Sequence, residues 1–189
     1  MESLIAAASF FVLLHLLVSG TRLRDGIVGV IGQGPYMGLF SLASVAGLVW
    51  LGMAYGGARH AAWNAAYWDL TPATRHVQLG LQVLALLLIV PGLTTPNPTS
   101  VAQEGALSKP NAVQGMLRIT RHPFLWGVAI WAAGHLIVNG DRASILLFGS
   151  ILALALFGTA SIDAKRKRVL GDTWTPFASQ TSNIPSPPS

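Results

Sequence analysis

Residues 143–162 read ASILLFGSILALALFGTASI, and this stretch decides the fold. It contains no charged side chain, and its length matches the roughly 20 residues that an α-helix needs to cross the hydrocarbon of a membrane. Directly after it come Asp163 and the basic run Lys165–Arg168. Basic residues at the end of an apolar run favour the anionic, cytoplasmic surface of a membrane. The stretch therefore predicts an integral membrane protein.

Four more apolar runs precede this one, and they cover about residues 4–20, 36–55, 77–93 and 124–138. No Lys or Arg precedes Arg22, so the first run lacks the basic start of a secretory signal and is expected to remain as a transmembrane helix. The sequence thus predicts an all-α fold: a polytopic transmembrane helix bundle of about five spans. It forms a single domain over residues 1–189, with a cytoplasmic tail over about residues 163–189.

The composition supports this class of protein and excludes others. Of the 189 residues, 52% are hydrophobic and only 10% are charged, against roughly a quarter charged in soluble domains. The net charge is +5, and four of the 12 basic residues form the run Lys165–Arg168. A membrane anchor explains this run better than nucleic-acid binding does, so no nucleic-acid partner is expected. The absence of cysteine excludes disulfides, thiolate metal sites and thiol nucleophiles.

The distribution of basic residues predicts the orientation. If the N-terminus lies outside, most basic residues fall in inner loops and in the tail, and the outer loops hold only Arg59, Arg75 and Arg142. Because Lys and Arg concentrate on the cytoplasmic side, the bias predicts an N-terminus outside and a C-terminus in the cytoplasm.

Two histidines, His15 and His135, lie inside apolar runs, where an ionisable side chain is costly and usually has a function. Gly134 and Gly20 lie near them and leave room for a flat ligand. Two imidazoles from different helices can fill both axial positions of a haem iron, whereas zinc normally needs three or four protein ligands. The sequence therefore predicts that His15 and His135 bind the iron of haem b.

Two alternatives to this assignment stay open. Each histidine could simply hydrogen-bond to a neighbouring helix. His122 is a rival partner for His15, because the helical rise puts His15 roughly 7 Å and His135 roughly 16 Å from the inner end of their spans.

A second group of candidates opens the fourth span, where residues 118–123 read RITRHP. Pro123 suits the first turn of a helix. Arg118, Arg121 and His122 would suit an anion such as a haem propionate, a lipid phosphate or a cofactor carboxylate, so we predict that they bind the cofactor or line the cytoplasmic mouth. The alternative is that these residues only extend to the inner interface.

Several strings together resemble the NnrU family of bacterial membrane proteins. They are PNPTSVAQE at residues 96–104, RITRHPFLWG at 118–127 and GHLIVNGD at 134–141, with Gly171 and Trp174 following Asp163. The resemblance extends over about residues 10–184 and implies a multi-pass protein of the bacterial cytoplasmic membrane.

That family is similar to the plant ζ-carotene isomerase, a membrane haem b enzyme that converts a cis double bond of a carotenoid through a redox-dependent change at the iron. The resemblance implies that His15 and His135 match its haem ligands and that a lipophilic polyene is the substrate. The family name also implies a link to denitrification, with a small nitrogen oxide as ligand and a redox partner. The plant enzyme has a cysteine three positions before the later ligand, where this chain has Ala132, so ligand exchange with a thiol is unavailable.

A more distant resemblance favours another class of enzyme. Arg121-His122-Pro123 at a helix start, followed by Gly171 and Trp174, is similar to membrane methyltransferases that act on isoprenylcysteine or phospholipid and bind S-adenosylmethionine. Their paired glutamates are missing here, because residues 163–168 are mostly basic. A haem-dependent isomerase, a methyltransferase and a non-catalytic membrane partner of a redox complex therefore remain as alternatives.

Overall fold

The computed structural model describes residues 1–100, 103–108 and 112–187. Within them the chain forms seven α-helices and no β-strand. The helices are α1 (Glu2–Leu13, continued by a π-helical turn at Leu14–Val18), α2 (Arg22–Ile31), α3 (Gln33–Ala58), α4 (Pro72–Thr94), α5 (Pro123–Val138), α6 (Arg142–Leu170) and α7 (Thr175–Ser179). Short 3-10 turns lie at Glu104–Ser108, Gly115–Arg118 and Gly171–Thr173. The predicted all-α fold is confirmed.

The apolar runs of the sequence correspond to helices of the bundle. By length and composition, α3, α4 and α6 can each cross a membrane, and the segment Glu2–Val18 with α2 is a fourth candidate that is bent by 78°. α5 is apolar but has only 16 residues. Only 11% of the most apolar 18-residue stretch of α3 is buried inside the protein, and the corresponding share is 17% in α4 and in α6. Since most of this apolar surface faces outward, it contacts lipid, and about five spans agrees with the fold.

One end of the bundle, here called the turn end, holds residues 59–71 and the turn Asn139–Asp141. Tyr67 N donates to Gly140 O over 2.8 Å, and Asn64 Oδ1 accepts from Ala143 N over 2.9 Å. Asp141 caps α6 by accepting from Ser144 N over 3.0 Å. Burial acts to raise the pKa of Asp141, but hydrogen bonds from Ser144 and Asn64 hold that pKa below its ordinary value.

The opposite end, here called the polar end, holds residues 95–100, 115–122 and 163–186 together with α2. Arg168 Nε donates to Asp25 Oδ2 over 2.9 Å and so joins α6 to α2. Trp174 and Phe177 pack with Leu117 in a buried cluster that fixes α7 there. Of the loop after α4, which is rich in Pro, Thr, Ser and Asn, Val101, Ala102, Lys109 and Pro110 lie outside the described residues.

α6 lies at the centre of the bundle and packs against α1, α3 and α5, while α4 packs on α5. A core of small and aliphatic side chains joins α1, α3 and α6 near the turn end. The α4–α5 contact depends on two glycines. A Cβ on Gly127 would lie 2.6 Å from Ile89 Cγ1 and 2.9 Å from Ala85 O, and one on Gly92 would lie 2.6 Å from Phe124 N. The two backbones therefore approach too closely for any side chain.

We expect Gly127→Ala to destabilise the protein by about 1–3 kcal/mol, because the new methyl group would collide with the α4 backbone, which cannot move as a side chain can. Gly149→Ala on α6 is the matched control, since its Cβ would meet nothing within 4 Å. Thermal unfolding of both variants in detergent measures the difference. An equal melting temperature for the two would contradict the α4–α5 packing described here.

Candidate functional site

The polar end contains a network of hydrogen bonds centred on Asp163, here called the Asp163 network. Arg121 Nε donates to both carboxylate oxygens, over 2.9 Å to Oδ1 and 3.0 Å to Oδ2. His122 Nε2 lies 2.8 Å from Oδ1, and Asn183 Nδ2 donates to Oδ2 over 2.8 Å. One carboxylate on α6 thus joins the start of α5 to the C-terminal tail.

The loop after α4 enters the same network. The backbone carbonyl of Arg121 accepts from Asn97 Nδ2 over 3.0 Å and from Thr99 Oγ1 over 2.9 Å. Asn97 N donates to Gln103 Oε1 over 2.8 Å, and Arg166 Nη2 on α6 donates to Ser100 O over 2.7 Å. These bonds show why Asn, Thr and Gln occur together in the string at residues 96–104.

Residues 181–186, here called the tail strap, lie across the network. Arg121 Nη1 donates to Thr181 O over 2.9 Å and Arg121 N donates to Ser182 O over 2.8 Å. The carbonyl of Asn183 accepts from Thr120 Oγ1 over 2.7 Å and from Trp126 Nε1 over 2.8 Å. The strap thereby connects the RITRHP string to the end of the chain.

Much of this network is shielded from water, and the side chains of Arg121, His122 and Asp163 are paired with one another. His122 is 2% exposed and Asn97 is 3% exposed. A buried and satisfied polar network makes an assembly rigid and specific. Arg121 and His122 both bind Asp163, and Arg118 is exposed in its 3-10 turn. Binding of a cofactor anion by Arg118, Arg121 and His122 stays a prediction.

His15 lies in the π-helical turn that follows α1. Its Nδ1 is 2.8 Å from the backbone carbonyl of Phe11, which can only accept, so Nδ1 is the donor, and in the neutral imidazole Nε2 keeps a lone pair. Metal-binding histidines commonly make this kind of bond to a backbone carbonyl. The imidazole contacts the rings of Phe11 and Phe40, with centroid separations of 4.5 and 5.2 Å.

His135 lies near the turn end of α5, between two aromatic rings. It stacks on Phe148 at 4.5 Å with an interplanar angle of 8°, and it lies 4.6 Å from Trp131. Its imidazole makes no hydrogen bond with the described part of the chain, unlike the imidazole of His122. Ala132, three residues before His135, is fully buried.

The two predicted ligands lie at different heights in the bundle. Gly20 lies against Ser161 of α6, so the helical rise puts His15 roughly 10 Å nearer the polar end than Phe148. His122, which binds Asp163, lies at a similar distance from His15 in the opposite direction. The distance from His15 along the bundle axis therefore does not decide whether His135 or His122 is the second ligand. The Asp163 bond already occupies Nε2 of His122, which favours His135.

The donor type of this pair, the imidazole nitrogen, suits haem b, but the height difference of roughly 10 Å means that α5 must shift against α1 before both imidazoles can reach one iron. Among the described residues, no three His, Cys, Asp or Glu side chains gather in a group that could hold a metal ion. Haem needs only one or two protein ligands, since the porphyrin supplies the other four. His15 presents an acceptor nitrogen among aromatic rings, where a flat macrocycle can pack.

Comparison with known proteins supports a membrane protein similar to a carotene isomerase. The chain is 27% identical over 93 residues to the chloroplastic 15-cis-zeta-carotene isomerase of Arabidopsis thaliana. This stretch covers 48% of the chain and 25% of the plant protein. No solved structure matches. The family model described as NnrU protein matches residues 3–187, and the chain therefore belongs to the NnrU family.

Proposed function

We propose that this protein binds haem b through His15 and His135 and catalyses cis–trans isomerisation of a lipophilic polyene. The observation that carries the haem proposal is the bond from His15 Nδ1 to Phe11 O at 2.8 Å, which leaves Nε2 as an acceptor among aromatic rings. The reaction is proposed from the relative, whose name is that of a carotene isomerase.

The chain itself would bind the substrate and exclude water. Phe11, Phe40, Trp131 and Phe148 surround the two imidazoles with aromatic surface. The outward apolar faces of α3 and α4 give a polyene dissolved in lipid direct access to the bundle. Bound haem would supply an iron that changes oxidation state and accepts electron density. Isomerisation leaves the formula of the polyene unchanged, so any electron that is taken must be returned.

We also propose that the protein lies in the bacterial cytoplasmic membrane with the polar end in the cytoplasm. Arg22, Arg24 and Arg118 belong to this end, as does the run Lys165–Arg168. Anionic lipids of the inner leaflet attract such residues by about 1 kcal/mol each. Binding of a small nitrogen oxide to the haem iron, and electron exchange with a redox partner, are further proposals that the same haem site would allow.

A visible spectrum of the purified protein tests the haem proposal. We expect protein from haem-supplemented cells to show sharp α and β bands after reduction with dithionite, with a haem content near one per chain in a pyridine haemochrome assay. When a 15-cis polyene is added to the reduced protein, its cis double bond should then be converted to trans. A colourless but folded protein would overturn the proposal, and binding of labelled S-adenosylmethionine would then favour a methyltransferase.

A further inference from the structure

Tyr36 carries a buried hydroxyl that has no partner within the described residues. It belongs to α3 at the polar end and is 6% exposed. The chain has 3 tyrosines, and the other two hydroxyls are bonded: Tyr55 to Ser144 over 2.9 Å and Tyr67 to Arg142 over 3.0 Å. Because an unmade hydrogen bond in a buried group is unfavourable, an orphaned hydroxyl indicates a missing partner.

An aromatic surface connects Tyr36 to His15. The ring of Tyr36 stacks on that of Phe40 with centroids 5.9 Å apart and an interplanar angle of 20°. The same Phe40 ring meets the imidazole of His15 edge-on at 5.2 Å. A flat ligand at His15 that extends along Phe40 toward the polar end would therefore approach the ring of Tyr36.

The electrostatic surroundings of Tyr36 favour a negative group. The guanidinium carbon of Arg24 lies 5.5 Å from the centroid of the Tyr36 ring, and the Arg24 side chain is 16% exposed. Asp25, the acid beside Arg24, is shared with Arg168 and so leaves a net positive charge. A hydroxyl donor beside a cation suits a carboxylate.

We propose that Tyr36 and Arg24 bind a propionate group of the haem that His15 ligates. This inference rests on the proposed function and deepens it. Arg121, the candidate from the sequence, gives Nε and Nη1 to Asp163 and Thr181 inside the Asp163 network. Arg24 donates to Asp25 over 3.3 Å and to Gln33 Oε1 over 3.0 Å, and the bond to the neutral Gln33 is the one that a propionate would replace. Tyr36 is a binding residue in this scheme: its hydroxyl donates to the propionate, and no bond is made or broken.

Haemin titration of the full-length apoprotein in nanodiscs tests the assignment. We expect Tyr36→Phe to weaken haemin affinity by roughly 10- to 100-fold, the effect of losing a hydrogen bond to a charged group. The α and β bands should not move, because the iron ligands are intact. The melting temperature of the apoprotein should stay the same or rise, because the variant removes an unsatisfied hydroxyl. Tyr67→Phe at the turn end is the control and should bind haemin as the wild type does.

Haemin dimethyl ester, in which both propionates are blocked, separates this contact from a general effect on the pocket. We expect the wild type and Tyr36→Phe to bind the ester equally. Equal haemin affinity for the two proteins, or an equal loss with haemin and with its ester, would overturn the propionate assignment and leave the proposed function standing. A lower melting temperature of the variant apoprotein would also overturn it. Failure of the wild type to bind haemin would overturn both proposals.

Discussion

Asp163→Asn is expected to destabilise the protein by about 3 kcal/mol, the lower end of the effect of removing one partner of a buried ion pair, because the side chains of Arg121 and Asp163 are 13% and 19% exposed. The carboxylate accepts hydrogen bonds from Arg121, His122 and Asn183. A carboxamide has one acceptor oxygen, and its NH2 group would face donors. The variant would leave the guanidinium of Arg121, which is 13% exposed, without a compensating charge.

The melting temperature should fall by roughly 10 °C, and size-exclusion chromatography of heated samples measures this fall. Asp172→Asn is the matched control, since Asp172 is exposed near the same end. Tryptophan fluorescence should change at lower temperature in the Asp163 variant, because Trp126 donates to Asn183 in the tail strap. If Asp163→Asn and Asp172→Asn have the same melting temperature, the Asp163 network does not stabilise the fold.

The long helices can be predicted because each one corresponds to a single continuous run of apolar residues in the sequence. A run of apolar residues about as long as the membrane is thick needs no distant partner to become a helix. α2 was missed for the same reason: Arg22–Ile31 is short and mixed in polarity, and it starts where Thr21 Oγ1 accepts from Leu23 N over 3.2 Å. The bend of 78° before it has no strong local signal.

The Asp163 network could be predicted only as separate strings. The sequence marks RITRHP and the polar residues after Ile162 as candidates, but Arg121 and Asp163 are 42 residues apart in sequence. Their pairing depends on the register of α5 against α6, which the packing of the apolar side chains between these helices sets rather than the polar residues themselves. Asn183 and Thr181 contribute a side-chain amide and a backbone carbonyl, and a backbone acceptor leaves no mark in a sequence. The orphaned hydroxyl of Tyr36 is likewise a property of packing.

The largest effect on haem is expected from His15→Ala, which should remove haem from the purified protein or weaken its binding by more than about 100-fold. Truncation removes the imidazole whose Nδ1 is fixed by Phe11 O, so no nitrogen remains at that height for the iron. His76→Ala is a close control, because His76 Nδ1 makes the same kind of bond, to Pro72 O over 2.7 Å, but lies exposed. This control should keep a wild-type spectrum, and retained haem in His15→Ala would contradict the assignment.

The visible haem spectra of His135→Ala and His122→Ala identify the second ligand. If His135 ligates the iron, His135→Ala should turn a six-coordinate, low-spin spectrum into a high-spin one, since only His15 would remain. His122→Ala should instead lower the melting temperature and keep the low-spin bands, because His122 binds Asp163 over 2.8 Å and is 2% exposed. The opposite result would require Nε2 of His122 to leave Asp163 and move toward His15, which would break the Asp163 network. Loss of stability and loss of a ligand therefore separate the two histidines: the first is expected at the polar end and the second beside Phe148.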